Sequence, residues 1–229
     1  MYKKNIFITS TGTNLGKTYC FVEILKELAR RKIVINGYKP ILSGFNFENI
    51  ADSDSYKILE TIKIEPKIED IKEISPWLFK NPIAPSIAAI KENKSLKYKE
   101  VLKWCLKKSN NSEINIFEGA GGIHVPIEGT KTILNLIQEL KCKVVLIVGN
   151  YLGSVSHTIS AIKNIQNESL EIINVIINQN IDNDINIEDT KSLINSVFES
   201  KVRIRKVFHN DNNTNTSFKK ITDDILSSF

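Results

Sequence analysis

Along this chain, continuous apolar runs alternate with stretches of helical spacing, and that alternation constrains the fold more than any other feature. Asn5–Thr9, Val34–Lys39, Ile114–Glu118, Val144–Val148, Glu171–Asn178 and Val202–Phe208 read as strands. Lys17–Arg31, Tyr98–Lys107, Ile133–Leu140, Val155–Asn167, Ile187–Phe198 and Ser217–Ser228 read as helices. Strand runs without polar alternation are those a sheet covers on both faces. Strands that alternate with helices predict βαβ units. The expected fold is α/β, with a mostly parallel central sheet between two helical layers. No Pro/Gly/Ser linker interrupts the chain, so one domain over residues 1–229 is expected. The stretch from Asn46 to Leu96 is less regular, punctuated by Pro76, Pro82 and Pro85, with Asp54–Thr61 its helical candidate. Asn210–Asn215 reads as a surface loop.

Composition removes several function classes. Hydrophobic residues at 41% and charged residues at 25% are ordinary for a globular chain and exclude wholesale disorder. The net charge is +5, yet only four of the 31 basic residues are arginine, and no basic-aromatic stripe occurs. A solvated lysine-rich surface accounts for that charge, and no nucleic-acid partner is expected. Cys20, Cys105 and Cys142 stand far apart, as do His124, His157 and His209, so neither a zinc site nor a disulfide framework can be read. The apolar runs Ile6–Ile8 and Val144–Val148 are too short for a signal segment or a bilayer span. A protein of the reducing cytoplasm, with no membrane partner, is expected.

The turn after the first strand carries the main chemical signal. Thr9-Ser10-Thr11-Gly12-Thr13-Asn14-Leu15-Gly16-Lys17-Thr18 lies between a strand and a helix. Such a turn aims backbone N–H groups and a helix N-terminus at one point, which suits phosphate. Lys17 is placed for the β- and γ-phosphates and the Thr18 hydroxyl for Mg²⁺. The strict spacing GxxxxGK[ST] fails, because Gly12 stands one residue too late. A second cluster, Gly37-Tyr38-Lys39-Pro40-Ile41-Leu42-Ser43-Gly44, leaves the second strand, so Lys39 and Ser43 point toward the same end of the sheet. Asp54, in Asp52-Ser53-Asp54, can complete a Mg²⁺ shell, while Asp52 or Ser53 can cap a helix. Glu118 ends a buried strand before Gly119-Ala120-Gly121-Gly122, where a Walker-B carboxylate stands. No guanine-reading Asn-Lys-x-Asp occurs, and Asn178 can pair with an adenine edge instead.

Taken together, the chain resembles the dethiobiotin synthetases, from Phe7 to about Asn178. The resemblance rests on TxTxxGKT at Thr11–Thr18, GYKPxxSG at Gly37–Gly44, Ser53-Asp54, EGAGG at Glu118–Gly122, Pro82 and Pro85, and LGxxxHT at Leu152–Thr158. It implies a P-loop NTPase-like fold and a homodimer. It implies that ATP, CO₂ or bicarbonate, and 7,8-diaminopelargonate are substrates and Mg²⁺ a cofactor. It also implies catalytic roles for Lys17, Lys39 and Thr13, and metal ligation by Thr18, Asp54 and Glu118. ATP contacts are implied at Asn14, Leu15, Gly16, Lys17, Thr18, Tyr19, Asp54, Glu118, Gly119, Ala120, Gly121, Asn178, Gln179 and Phe208. Substrate contacts are implied at Lys39, Ser43 and the Tyr151-Leu152-Gly153 backbone. The chain departs from the family's pattern at Ser10, Asn14, Ser86, Tyr151, Ser156 and the segment Arg205–Phe208. The rival reading is a partitioning- or division-site regulatory ATPase. Those proteins carry a second signature lysine where Gly12 stands.

Overall fold

The structure is a computed structural model and describes residues 4–63, 65–179, 185–208 and 214–229. In chain order the elements begin β1 (Lys4–Ser10), α1 (Lys17–Arg30), β2 (Ile35–Tyr38), β3 (Ile41–Ser43), α2 (Asp54–Glu60), α3 (Ile68–Ile74) and β4 (Trp77–Phe79). Next come α4 (Pro85–Lys91), α5 (Tyr98–Lys108), β5 (Ile114–Gly122), β6 (Pro126–Glu128), β7 (Lys131–Thr132) and α6 (Ile133–Glu139). The remainder is β8 (Lys143–Gly149), α7 (Ser154–Asn167), β9 (Ile172–Gln179), α8 (Ile187–Val197), β10 (Ile204–Phe208) and α9 (Thr214–Ser227).

Six strands form the central sheet in the order β10-β9-β8-β1-β5-β2. Every neighbouring pair is parallel. Successive residues Ile6, Phe7 and Ile8 of β1 are all fully buried, as are Val144 to Val148 of β8. A strand buried on alternate side chains alike is covered on both faces, which is the three-layer arrangement expected. α1 supplies part of that cover through Cys20, Phe21, Ile24, Leu25 and Leu28, which recur at helical spacing and face the sheet. Phe117 of β5 stacks between Phe7 and Tyr38, with ring centroids 6.4 and 5.2 Å away.

The strand order sets the position of the site. From β1 the chain runs out to the β2 edge and returns to insert β5. It then builds β8, β9 and β10 on the other side. The order reverses beside β1, and open α/β sheets bind ligands at the carboxyl ends of strands at such a point.

Two local expectations change. The Asn46–Leu96 stretch holds α2, α3, β4 and α4, and β3 pairs with β4 as a separate parallel ribbon. Its prolines start elements rather than prevent them: Pro76 precedes β4, and Pro85 occupies the first turn of α4, where a missing N–H costs nothing. Strand β5 does not stop at Glu118 but runs on to Gly122, with Ser10 paired to Gly122 after a bulge. Of the expected loop Asn210–Asn215, residues 210–213 lie outside the described ones and Thr214 opens α9. Among the described residues, no helix is long and apolar enough to cross a membrane.

Candidate active site

The turn between β1 and α1 is held open by two left-handed residues, Asn14 (φ 57°) and Gly16 (φ 85°). Gly16 caps α1 without a side chain, so the first amides of this helix have no side-chain acceptor. A Cβ on Gly16 would meet Asn178 Nδ2 at 2.1 Å, so both φ and space require glycine there. Asn178, fully buried at the end of β9, donates from that nitrogen to Leu15 O at 2.9 Å. The far strand thus braces the turn from behind.

Lys17 opens α1 and folds back over the turn, donating to Ser10 Oγ and Gly12 O, each at 3.0 Å. Burial lowers its pKa to about 8, against the opposing pull of the Glu118 charge. Ser10, fully buried, also donates to Gly121 O at 3.1 Å and so ties the turn to β5. Read only as a departure in the sequence, Ser10 is the resting partner of the catalytic-candidate lysine. Its position two residues before Gly12 was the available signal.

Across the cavity, Glu118 Oε1 accepts from Thr18 Oγ1 at 2.9 Å and from Lys39 Nζ at 2.5 Å. The same ammonium lies 2.7 Å from Asp54 Oδ2. Burial alone would lower the Lys39 pKa, but the Glu118 and Asp54 charges outweigh it and raise it. Burial pushes the Asp54 carboxyl up and Lys39 more than reverses it, so its pKa is lowered. Glu118 Oε2 is buried with no hydrogen-bond partner, an acceptor left for a cation or donor.

These residues enclose a cavity of about 740 Å³. Of the sequence candidates, Thr13, Asn14, Gly16, Lys17, Thr18, Tyr19, Lys39, Ser43, Asp54, Glu118, Ala120 and Gly121 line it. Ser43 Oγ is a second buried oxygen without a partner. Ile41, Leu42, Ile83, Ala84 and Val125 form an apolar wall that sequence reasoning did not name. Ordinary aliphatic residues in a loop give no local signal.

The other candidates lie elsewhere. Leu15 points into the core beside Gly149, and Gly119 packs on Phe7 and Ile133, so neither lines the cavity. Asn178, Gln179 and Phe208 meet at the ends of β9 and β10, where Gln179 pairs with Phe208. Gln179 Oε1 is buried and has no partner. Tyr151, Leu152 and Gly153 precede α7 and stay outside this cavity, with Leu152 92% exposed. Tyr151 Oη instead meets His157 Nδ1 at 2.9 Å.

Comparison with known proteins gives a consistent result. The family described as AAA domain matches residues 4–213. The ATP-dependent dethiobiotin synthetase of Vibrio cholerae is 32% identical over 179 residues, covering 76% of this chain and 75% of that protein. The synthetase of Cellvibrio japonicus is 31% identical over 180 residues, 78% of each. Among solved structures, the septum site-determining protein MinD of Pyrococcus horikoshii, complexed with Mg-ADP, superposes with a TM-score of 0.60. It is 12% identical and covers 97% of this chain and 95% of that one. Cobyrinic acid a,c-diamide synthase of Mycobacterium smegmatis superposes at 0.54, 11% identical, over 98% and 95%. These two likenesses are of fold.

Proposed function

Since the chain belongs to the AAA-domain family and within it to the ATP-dependent dethiobiotin synthetases, we propose that this cavity closes the ureido ring of dethiobiotin. The substrates are 7,8-diaminopelargonate, CO₂ and ATP. The observation that carries this reading is the convergence of Lys17, Thr18, Lys39, Asp54 and Glu118 on one cavity at the carboxyl ends of the central strands.

One substrate amine captures CO₂ as a carbamate. The carbamate oxygen attacks the γ-phosphorus and ADP leaves. The second amine then attacks the carbonyl carbon, phosphate leaves, and the ring closes. Such transfer needs positioning and charge neutralisation rather than a protein nucleophile. Lys17 moves from Ser10 to the β- and γ-phosphates, with the uncapped start of α1 beside it. Lys39 neutralises the carbamate from the other wall. Thr13 and Ser43 donate hydrogen bonds to it, and Ser43 has a buried hydroxyl that needs a partner. The apolar wall of Ile41, Leu42, Ile83 and Val125 accepts the substrate's alkyl chain and excludes water. Asn178, Gln179 and Phe208 take the adenine, where the unpartnered Gln179 Oε1 can accept from its amine.

The hydroxyl of Thr18 and the carboxylates of Asp54 and Glu118 are hard oxygen donors, and the unpartnered Glu118 Oε2 fits a cation. Mg²⁺ held there supplies neutralisation of phosphate charge. A second copy of the chain is proposed to cover the exposed Leu152 and bring its Tyr151–Gly153 backbone to the substrate's carboxylate.

The test is phosphate release from ATP with and without diaminopelargonate and bicarbonate. Release that needs both supports the reading. Release indifferent to both returns the regulatory-ATPase alternative, against which Gly12 already stands.

A further inference from the structure

Lys39 is only 4% exposed, and its ammonium sits between Asp54 and Glu118, 2.7 and 2.5 Å from their oxygens. The nearer oxygen, Glu118 Oε1, is also the one Thr18 Oγ1 reaches at 2.9 Å. Two of the three oxygen donors of the metal reading, Asp54 and Glu118, therefore already hold one cation, a lysine, and the third, Thr18, is bonded to the same Glu118 oxygen. Lys17, Thr18 and the open cavity occupy the remaining directions, and Lys57 faces Asp54 from α2. The Lys39 backbone is fixed, because its N–H donates to Ile74 O at 3.1 Å and Pro40 follows it. Its long side chain is the part that can move. A divalent metal drawn to the unpartnered Glu118 Oε2 and to Asp54 would lie beside the Lys39 ammonium held on the same two carboxylates, and two adjacent cations repel.

We propose that Lys39 is the resting occupant of the cation site, so that metal entry and departure of the Lys39 ammonium are a single exchange. The released ammonium has one open direction, the cavity it lines together with Ser43. That is the side from which it would meet the carbamate. Without metal, Lys39 pairs with the two carboxylates and holds them together; with metal, it becomes available to the substrate. The proposal rests on the metal reading of Thr18, Asp54 and Glu118 given above.

The test uses the full chain without nucleotide and Mn²⁺ as the probe, its free fraction read from the electron-spin resonance signal. Lys39→Met should bind Mn²⁺ roughly tenfold more tightly than the unmodified protein, within the usual range for coupled sites. Equal or weaker binding overturns the exchange. Should Lys39→Met fail to fold, the unmodified protein still decides. Acetylation of Lys39 by an N-hydroxysuccinimide ester, followed by mass spectrometry, should be slow without metal and faster with saturating Mg²⁺. A rate that is unchanged or falls sinks the proposal. Glu118→Gln separates the two ideas. If Mn²⁺ binding survives in it undiminished, the metal site itself is misplaced and the exchange falls with it. If binding drops in Glu118→Gln yet Lys39→Met gains nothing, the metal reading stands and only the exchange is wrong.

Discussion

Lys17 and Lys39 carry the same charge, but their surroundings oppose each other. Lys17 has hydroxyl and carbonyl partners and a pKa lowered by burial to about 8, whereas Lys39 has two carboxylates and a raised one. At pH 8.5 the free protein therefore holds Lys17 mostly neutral, and bound polyphosphate restores its charge. ADP binding at that pH should therefore take up protons at Lys17. Calorimetry in buffers of different ionisation enthalpy measures this directly; no uptake would show Lys17 already charged. The two carboxylates also differ. Glu118 is 1% exposed, as its place at the end of a buried strand leads one to expect, while the Asp54 side chain is 37% exposed. Glu118→Gln removes one partner of a buried pair and should cost about 3 kcal/mol in urea unfolding. Asp54→Asn should cost well under that, since water screens and replaces its contact. Equal losses would contradict the burial of Glu118.

At the level of elements, the turn into α1 depends on a residue far along the chain. Gly16→Ala adds a left-handed penalty of about 1–2 kcal/mol and places its Cβ 2.1 Å from Asn178 Nδ2. The pair should be non-additive: in an Asn178→Ala background the steric part of the Gly16→Ala cost disappears and only the backbone part remains. A double-mutant cycle on melting temperature reads this, and strict additivity would mean that Asn178 does not brace the turn. Helix α2 depends on a local cap. Ser53 Oγ accepts from Tyr56 N at 3.2 Å, so Ser53→Ala should lose about 1 kcal/mol. The same substitution tests which of Asp52 and Ser53 is the cap, a choice the sequence left open. An unchanged stability would transfer the role to Asp52.

For the molecule as a whole, one cluster of buried apolar side chains runs from β10 and α9 through the central strands to β4 and α5. Both tryptophans, Trp77 and Trp104, lie at the far end of it, their rings 6.2 Å apart. Tryptophan fluorescence therefore reports that end, while far-ultraviolet circular dichroism reports all elements. If residues 1–229 are one domain, the two urea midpoints coincide; separated midpoints would split the chain at the β2 edge. The parallel α/β order and the phosphate turn were legible because they are local. Apolar runs, helical spacing and the GKT ending of the turn each reside within a dozen or so neighbouring residues. Lys17, Thr18, Lys39, Asp54 and Glu118 could be chosen for their chemistry because each stands at an element end that the alternation predicts. Their partners could not. That Ser10 ties the turn to Gly121, that Asn178 leaves no room for a Cβ at Gly16, and that Lys39 bridges Asp54 and Glu118 all depend on strand order. The order β8-β1-β5-β2 puts Glu118 one strand from both Lys17 and Lys39. Contacts between residues 79 or 163 positions apart have no signature in a single sequence. They exist because non-local pairing and burial selected one arrangement of strands, and tertiary structure alone decided it.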